Sequence, residues 1–250
     1  MGKLTNKTAV VTGGNSGIGF FTAKDFINEG AKVLITGRKS EAVNEAIKKL
    51  GNQTEGIVSD QSSLKDIDNL VMKTKEKLGS VDILFINAGV AAFAPLEGIT
   101  EESFDTIMNI NFKGALFTLQ KFLPLLKDGS NVIFLSSVNA YTGMPNTTVY
   151  AASKAAMNSL SRTAAQELAG RNIRVNAVCP GPVETPIFGK MGLPEEVMQE
   201  FGKNMQARVP LKRFGKADEI AKLVTFLASD DAKYITGAEY VIDGGINILN

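Results

Sequence analysis

At 250 residues, 44% hydrophobic and 21% charged, the chain has the balance of an ordinary globular protein and a length that α/β folds reach undivided. Lysine plus arginine number 27 against 26 aspartate plus glutamate, so the net charge of +1 gives no bulk attraction to nucleic acid or to an anionic membrane. There is no histidine, which excludes imidazole bases and histidine-held metals, and the single cysteine, Cys179, excludes an intrachain disulfide and fits a reducing compartment.

The segment Met1–Lys7 has no apolar signal core, and no apolar run approaches the ~20 residues of a membrane span, so a cytoplasmic protein is expected. A β-branched run, Thr8–Thr12, reads as a first strand and leads through a glycine-rich turn into a helix over Gly17–Glu29. A strand at Lys32–Thr36 follows, then a helix at Ser40–Leu50, a strand at Gly56–Ser59 and a helix at Ser62–Leu78. The series continues with a strand at Ile83–Asn87, a helix at Ser103–Leu126, a strand at Asn131–Ser136, a helix at Val149–Ala169 and a strand at Arg174–Cys179. The stretch 185–210 breaks the alternation with Pro186, Gly189, Gly192, Pro194 and Gly202 among Ile187, Phe188, Met191, Leu193, Met198, Phe201 and Met205. No packed sheet element is expected there, and methionines suit irregular contacts. A helix at Ala217–Ala228 and a strand at Glu239–Ile242 close the chain. Strands that alternate with helices, and that are apolar without interruption, imply a parallel sheet covered on both faces, a doubly wound α/β fold spanning 1–250 as one domain.

Three features carry chemistry. Thr12-Gly13-Gly14-Asn15-Ser16-Gly17-Ile18-Gly19 joins a strand to a helix, where glycines admit a phosphate to helix N–H groups. Tyr150 and Lys154 lie four residues apart, so both leave one helical face. A phenol ionises near pH ~10, and bringing it to ~7 needs roughly 4 kcal/mol, which one ammonium about 4 Å away supplies at an effective dielectric of ~20. Ser137 lies thirteen residues before Tyr150, at the end of an apolar strand.

The glycine turn, Asn87-Ala88-Gly89, Asn111-Phe112-Lys113-Gly114, Ser137, the Tyr150/Lys154 pair, Pro180-Gly181 and Asp243-Gly244-Gly245 resemble the classical short-chain dehydrogenase/reductase family in order and spacing. The resemblance covers nearly the whole chain. It implies a Rossmann fold with a small substrate-binding lobe near residues 185–210, and NAD(P)-dependent interconversion of ketones and secondary alcohols. Tyr150 would act as the general acid or base, Lys154 would bind the nicotinamide ribose and lower the tyrosine pKa, and Ser137 would orient the carbonyl. Asn111 would hold a water in the proton relay. By the same resemblance the cofactor would meet Gly13, Asn15, Ser16, Gly17, Ile18 and Gly19 at its pyrophosphate and Asp60 at its adenine. Asn87, Ala88 and Gly89 would line the adenine ribose, and Pro180, Gly181, Val183 and Thr185 the nicotinamide. Asp243-Gly244-Gly245 would shape the last turn, and Cys179 reads as a small core residue. No metal is expected.

After the second strand the family's acidic position is Gly37, followed by Arg38 and Lys39, so NADP(H) is expected over NAD(H) through a charge-assisted Arg38 contact to the 2′-phosphate. Phe188, Met191, Met198 and Met205, with Phe93 and Met144, suggest an apolar or aromatic ketone. The apolar content of Phe104–Leu126 exceeds the ~100° stripe one helix needs against a core, and together with the resemblance suggests a homotetramer, with a dimer as the alternative. A 3-oxoacyl carrier-protein reductase is the alternative within the class. A non-catalytic dinucleotide-sensing protein is the alternative outside it, disfavoured because all four catalytic positions are present.

Overall fold

The computed structural model describes residues 2–185 and 195–249. Seven strands form one parallel sheet: β1 (Thr8–Val11), β2 (Lys32–Gly37), β3 (Thr54–Val58), β4 (Val81–Ile86), β5 (Leu126–Leu135), β6 (Arg174–Pro180) and, after the two-residue strands β7 (Val183–Glu184) and β8 (Gly215–Lys216), β9 (Glu239–Ile242). Their spatial order is β3-β2-β1-β4-β5-β6-β9, so the winding reverses between β1 and β4, the place where an open α/β sheet leaves a crevice at its carboxyl edge. This is the doubly wound Rossmann arrangement. The period-two geometry of a strand sorts its side chains into two apolar layers. Ala9, Val11, Val33, Ile35, Ile83 and Phe85 enter one layer, and Val10, Leu34, Leu84 and Ile86 the other.

Helices α1 (Gly17–Asn28), α2 (Ser40–Leu50) and α3 (Leu64–Leu78) follow β1, β2 and β3 in turn. The single helix expected over Ser103–Leu126 is instead three pieces: α4 (Glu101–Met108), a π turn (Asn109–Lys113) and α5 (Gly114–Phe122). Pro124 supplies the reason for the early stop, since it has no N–H to continue the hydrogen-bond ladder, and the helix ends although Leu123 itself keeps helical backbone. Leu126 already belongs to β5, paired with Val81, and a register shift absorbs the residues before Asn131. The 21-residue α6 (Thr148–Leu168) lays Ser153, Met157, Ser161, Ala164 and Ala165 on the sheet.

The stretch beyond β7 also departs from expectation. It contains α7 (Glu195–Arg208), which persists through Gly202 because the other residues are mostly good helix formers and one glycine costs only about 1 kcal/mol. β7 pairs with β8 across the two ends of this stretch, and no sheet element falls within its described residues. Ile187, Phe188, Met191 and Leu193 lie outside the described residues, as do the side chains of Met198 and Phe201. Helix α8 (Ala217–Ala228) then returns against α1. No helix among the described residues is long and apolar enough to cross a membrane.

The apolar excess of Phe104–Leu126 is consumed only in part within the protomer: Ile107, Ile110, Leu119, Phe122, Leu125 and Leu126 are buried, Phe112, Leu116 and Phe117 are half-buried, and Phe104 is exposed.

Candidate active site

The glycine turn sits at the β1/β4 crevice. Gly13 and Gly17 have φ of 65° and 54°, backbone that disfavours any side chain, and a Cβ at Gly19 would come within 2.5 Å of Asn87 Nδ2 and of the Gly13 carbonyl. The turn is tied to the end of β4 through Thr12. Its hydroxyl accepts from the backbone N–H of Asn87 and of Ala88, both at 3.0 Å, while Asn87 Nδ2 donates to the carbonyls of Thr12 at 2.8 Å and Gly13 at 3.2 Å. Ser16 precedes α1 without a side-chain capping bond, and the first turn of α1 carries no acidic residue. The helix therefore presents uncapped N–H groups and the positive end of its dipole, within a cradle that a side chain would fill. That donor set fits a dinucleotide pyrophosphate.

Asp60 is partly engaged in its own turn, where Oδ1 accepts from the Ser62 N–H at 2.9 Å and the Ser62 hydroxyl at 2.7 Å. At the end of β2, the space a Cβ on Gly37 would need is taken by Asn15, whose Oδ1 lies 2.6 Å from that position. Arg38 is exposed and makes no hydrogen bond or ion pair among the described residues. It lines a cleft of about 580 Å³ together with Glu101, Glu102 and Asp105 of α4.

Toward the centre of the sheet edge, a second cavity of about 200 Å³ collects the catalytic candidates. Ser137, Tyr150 and Lys154 line it, with Ile18, Asn87 and Gly89 on one side and Pro180, Gly181, Val183 and Thr185 on another. The substrate side is mostly apolar, with Val90, Phe93, Val138, Met144, Met205 and Ile246. Phe93 and Met144, expected near the pocket, are there, and Phe93 meets the Tyr150 ring edge-on at 6.3 Å between centroids. Among the described residues no group of three or more acidic, cysteine or histidine side chains could hold a metal ion.

Burial holds the Tyr150 phenol above its ordinary pKa, against a smaller downward pull from its hydrogen bond with Ser137. Burial also brings the Lys154 ammonium down to about 8. Lys154 Nζ donates to the Leu135 carbonyl at 2.8 Å and stands 5.7 Å from the centroid of the Tyr150 ring. The sequence-based expectation that the lysine lowers the tyrosine pKa is therefore not met in this arrangement. The ammonium is directed at a strand carbonyl, and desolvation dominates the phenol.

Asn111, fully buried in the π turn, has both amide hydrogens and one lone pair of its carbonyl oxygen engaged by protein. Its Oδ1 accepts from the Val90 N–H at 2.8 Å, and its Nδ2 donates to the Val90 carbonyl at 2.9 Å and to Ser153 Oγ at 3.1 Å. The residue clamps the loop after β4 onto α6. Cys179 is fully buried, as expected of a core residue, and burial pushes its thiol pKa up.

The sequence reading passed over Thr12, Val90 and Arg208. Thr12 could have been found as a hydroxyl at the end of a buried strand. Val90 acts through its backbone and leaves no compositional trace. Arg208 faces the cavity only because α7 exists.

The family model described as enoyl-(acyl carrier protein) reductase matches residues 13–247. The 3-oxoacyl-[acyl-carrier-protein] reductase FabG of Thermotoga maritima is 39% identical over 252 residues, covering 98% of this chain and 100% of its own. Among solved structures, the 3-ketoacyl-(acyl-carrier-protein) reductase of Brucella melitensis complexed with NADH superposes with a TM-score of 0.90 at 31% identity, covering 98% of this chain and 99% of its own. A blue fluorescent protein from a metagenomic library in complex with NADPH gives 0.89 at 30% identity, again covering 98% and 99%. The chain belongs to the short-chain dehydrogenase/reductase family. It is an oxidoreductase of ketones and alcohols that works with a nicotinamide dinucleotide.

Proposed function

We propose that this chain is an NADP(H)-preferring carbonyl reductase and alcohol dehydrogenase in which Tyr150 moves the proton. The observation that carries the reading is the convergence of Ser137, Tyr150 and Lys154 on one largely apolar cavity. The residues from Gly13 to Gly19, with Asn87, Ala88 and Gly89, would hold the dinucleotide, and Pro180, Gly181, Val183 and Thr185 its nicotinamide end. When bound, the nicotinamide supplies or accepts the hydride. The protein does the rest. Ser137 Oγ donates to the substrate oxygen and fixes the carbonyl, while the Tyr150 hydroxyl gives its proton to that oxygen in reduction and takes it back in oxidation. Lys154 would meet the nicotinamide ribose hydroxyls, and at neutral pH a lysine with a pKa of about 8 is still mostly charged for that contact. Asn111 is a positioning residue, holding Val90 at the cavity wall.

The cofactor preference is supported by Gly37, which offers no carboxylate to the adenine ribose, and by the exposed Arg38 beside it, which has no ion-pair partner among the described residues. A 3-oxoacyl carrier-protein reductase is the second reading, favoured by the kinship to the Thermotoga enzyme of that name. We also propose a homotetramer in the cytoplasm, with the half-buried Phe112, Leu116 and Phe117 on the π turn and α5 contributing to an interface. Tyr150→Phe tests the chemistry. Turnover of ketones should fall nearly to background while NADPH binding persists, because only the transferable proton is removed. Single-turnover reduction near the wild-type rate in this variant would overturn the role.

A further inference from the structure

Met205 and Arg208 stand three residues apart on α7, and both line the catalytic cavity, as residues on one helical face do. Met205 is buried with Val138, Val209 and Ile246, and Met144 packs beside them, so this wall is apolar. Arg208 interrupts it. Its side chain is exposed and makes no hydrogen bond or ion pair among the described residues. Nearby cations are occupied elsewhere: Arg213 pairs with both oxygens of Glu219 at 2.7 Å, and Lys212 Nζ donates to the Ala207 carbonyl at 2.7 Å. Among the described residues lining the cavity there is no carboxylate, and Lys154 and Arg208 are its cations.

Lys154 is committed to the Leu135 carbonyl and the reaction, which leaves Arg208 without a task. A guanidinium beside apolar surface, with no carboxylate to neutralise it, matches the forked geometry of a carboxylate or phosphate. We propose that Arg208 is a specificity-determining residue that binds an anionic group on the ketone substrate, remote from the carbonyl engaged by Ser137 and Tyr150. The substrate class is then an amphipathic ketone: a reacting carbonyl, an apolar middle along Met144, Met205 and Ile246, and a carboxylate or phosphate at Arg208. This adds a charged end to the apolar or aromatic ketone that the sequence suggested, and it rests on the ketone-reductase reading above.

The test compares two matched pairs of ketones in a nicotinamide-linked assay: acetoacetate with its methyl ester, and acetoacetyl-phosphopantetheine with acetoacetyl-N-acetylcysteamine. In wild type, kcat/KM should favour the anionic member of at least one pair. In Arg208→Gln that preference should fall by about 10- to 100-fold, the range a charged hydrogen bond supports, and Arg208→Lys should restore part of it. A loss confined to the first pair identifies a free oxo acid, and a loss confined to the second identifies a phosphate-bearing thioester. An unchanged preference in both pairs, or an equal fall in both members, overturns the proposal and leaves the reductase reading intact. A rise confined to the KM for the nicotinamide cofactor also overturns it, since the arginine would then serve the cofactor. Wild type turning over none of the four ketones would overturn both readings.

Discussion

Installing the missing carboxylate by Gly37→Asp probes the cofactor inference at its steric root. A Cβ at this position would lie 2.6 Å from Asn15 Oδ1, 2.8 Å from Asn15 Cγ and 3.0 Å from Val43 Cγ2. The first two contacts are closer than real packing allows, so Asn15 must leave its place over the end of β2. Overpacking of this kind costs typically 1–3 kcal/mol. At about 2–4 °C per kcal/mol for a chain of this size, the melting temperature should fall by roughly 2–12 °C. Asn15→Ala removes both close atoms, so the double variant should recover most of the loss, a coupling expected only of residues in contact. It should also raise the NADH-to-NADPH ratio of kcat/KM, because a carboxylate then faces the ribose and repels a 2′-phosphate. Arg38→Ala should move the ratio the same way by raising the KM for NADPH. Thermal melts and steady-state kinetics with both cofactors decide the matter. If Gly37→Asp alone melts with wild type, the steric argument fails. If wild type uses NADH with the higher efficiency, the reading of Gly37 and Arg38 is wrong.

Lys154, with its folded pKa brought from 10.5 to about 8, carries a burial penalty while charged. The unfolded chain binds the extra proton between those values, so this group's contribution makes stability rise with pH from about 8 to 10.5. Relative to Lys154→Met, wild type should therefore gain up to about 3 kcal/mol across that window, measured by denaturant titration at its two ends; a constant difference would refute the penalty. Glu239 accepts from Asn158 Nδ2 at 2.8 Å and also holds Tyr141 and Arg162, joining α6 and β9 to the loop that carries Thr142, Gly143 and Met144 at the cavity. Glu239→Gln should destabilise by roughly 1.5–3 kcal/mol and raise the KM for ketones more than it lowers kcat; a wild-type melt and unchanged KM would dismiss the coupling. Light scattering at micromolar concentration should give four chains per particle, and a monomer would refute the assembly.

The order of strands and helices was legible because strands covered on both faces must be apolar throughout, and because Gly and Pro mark most of the joints. The approach of Ser137, Tyr150 and Lys154 to one cavity followed from helical spacing and a strand end. What stayed hidden depended on competition between partners. Nothing in the chain shows that Lys154 prefers the Leu135 carbonyl, or that Asn111 spends its amide on Val90, since both choices are made by backbone atoms that every residue has. The π turn is of the same kind, with Asn111 marking the irregular position but not its form. Helix α7 is obscured in the sequence by Pro194 and Gly202, of which one precedes the helix and the other is tolerated inside it.

The Thr12 cross-tie divides the molecule by mechanical character. With one hydroxyl holding two N–H groups of the next strand and Asn87 returning two bonds, the floor of the dinucleotide crevice is set when the chain folds, and a ligand meets it already ordered. Arg38 and Arg208 stand apart from that framework, exposed and with no hydrogen bond or ion pair among the described residues. Affinity for what all dinucleotides share would then rest on stiff backbone, and under the proposals above the choice between cofactors and between substrates would fall to these two side chains. Such a division lets either preference be rewritten by a few surface substitutions, with the reaction geometry beneath left as it is.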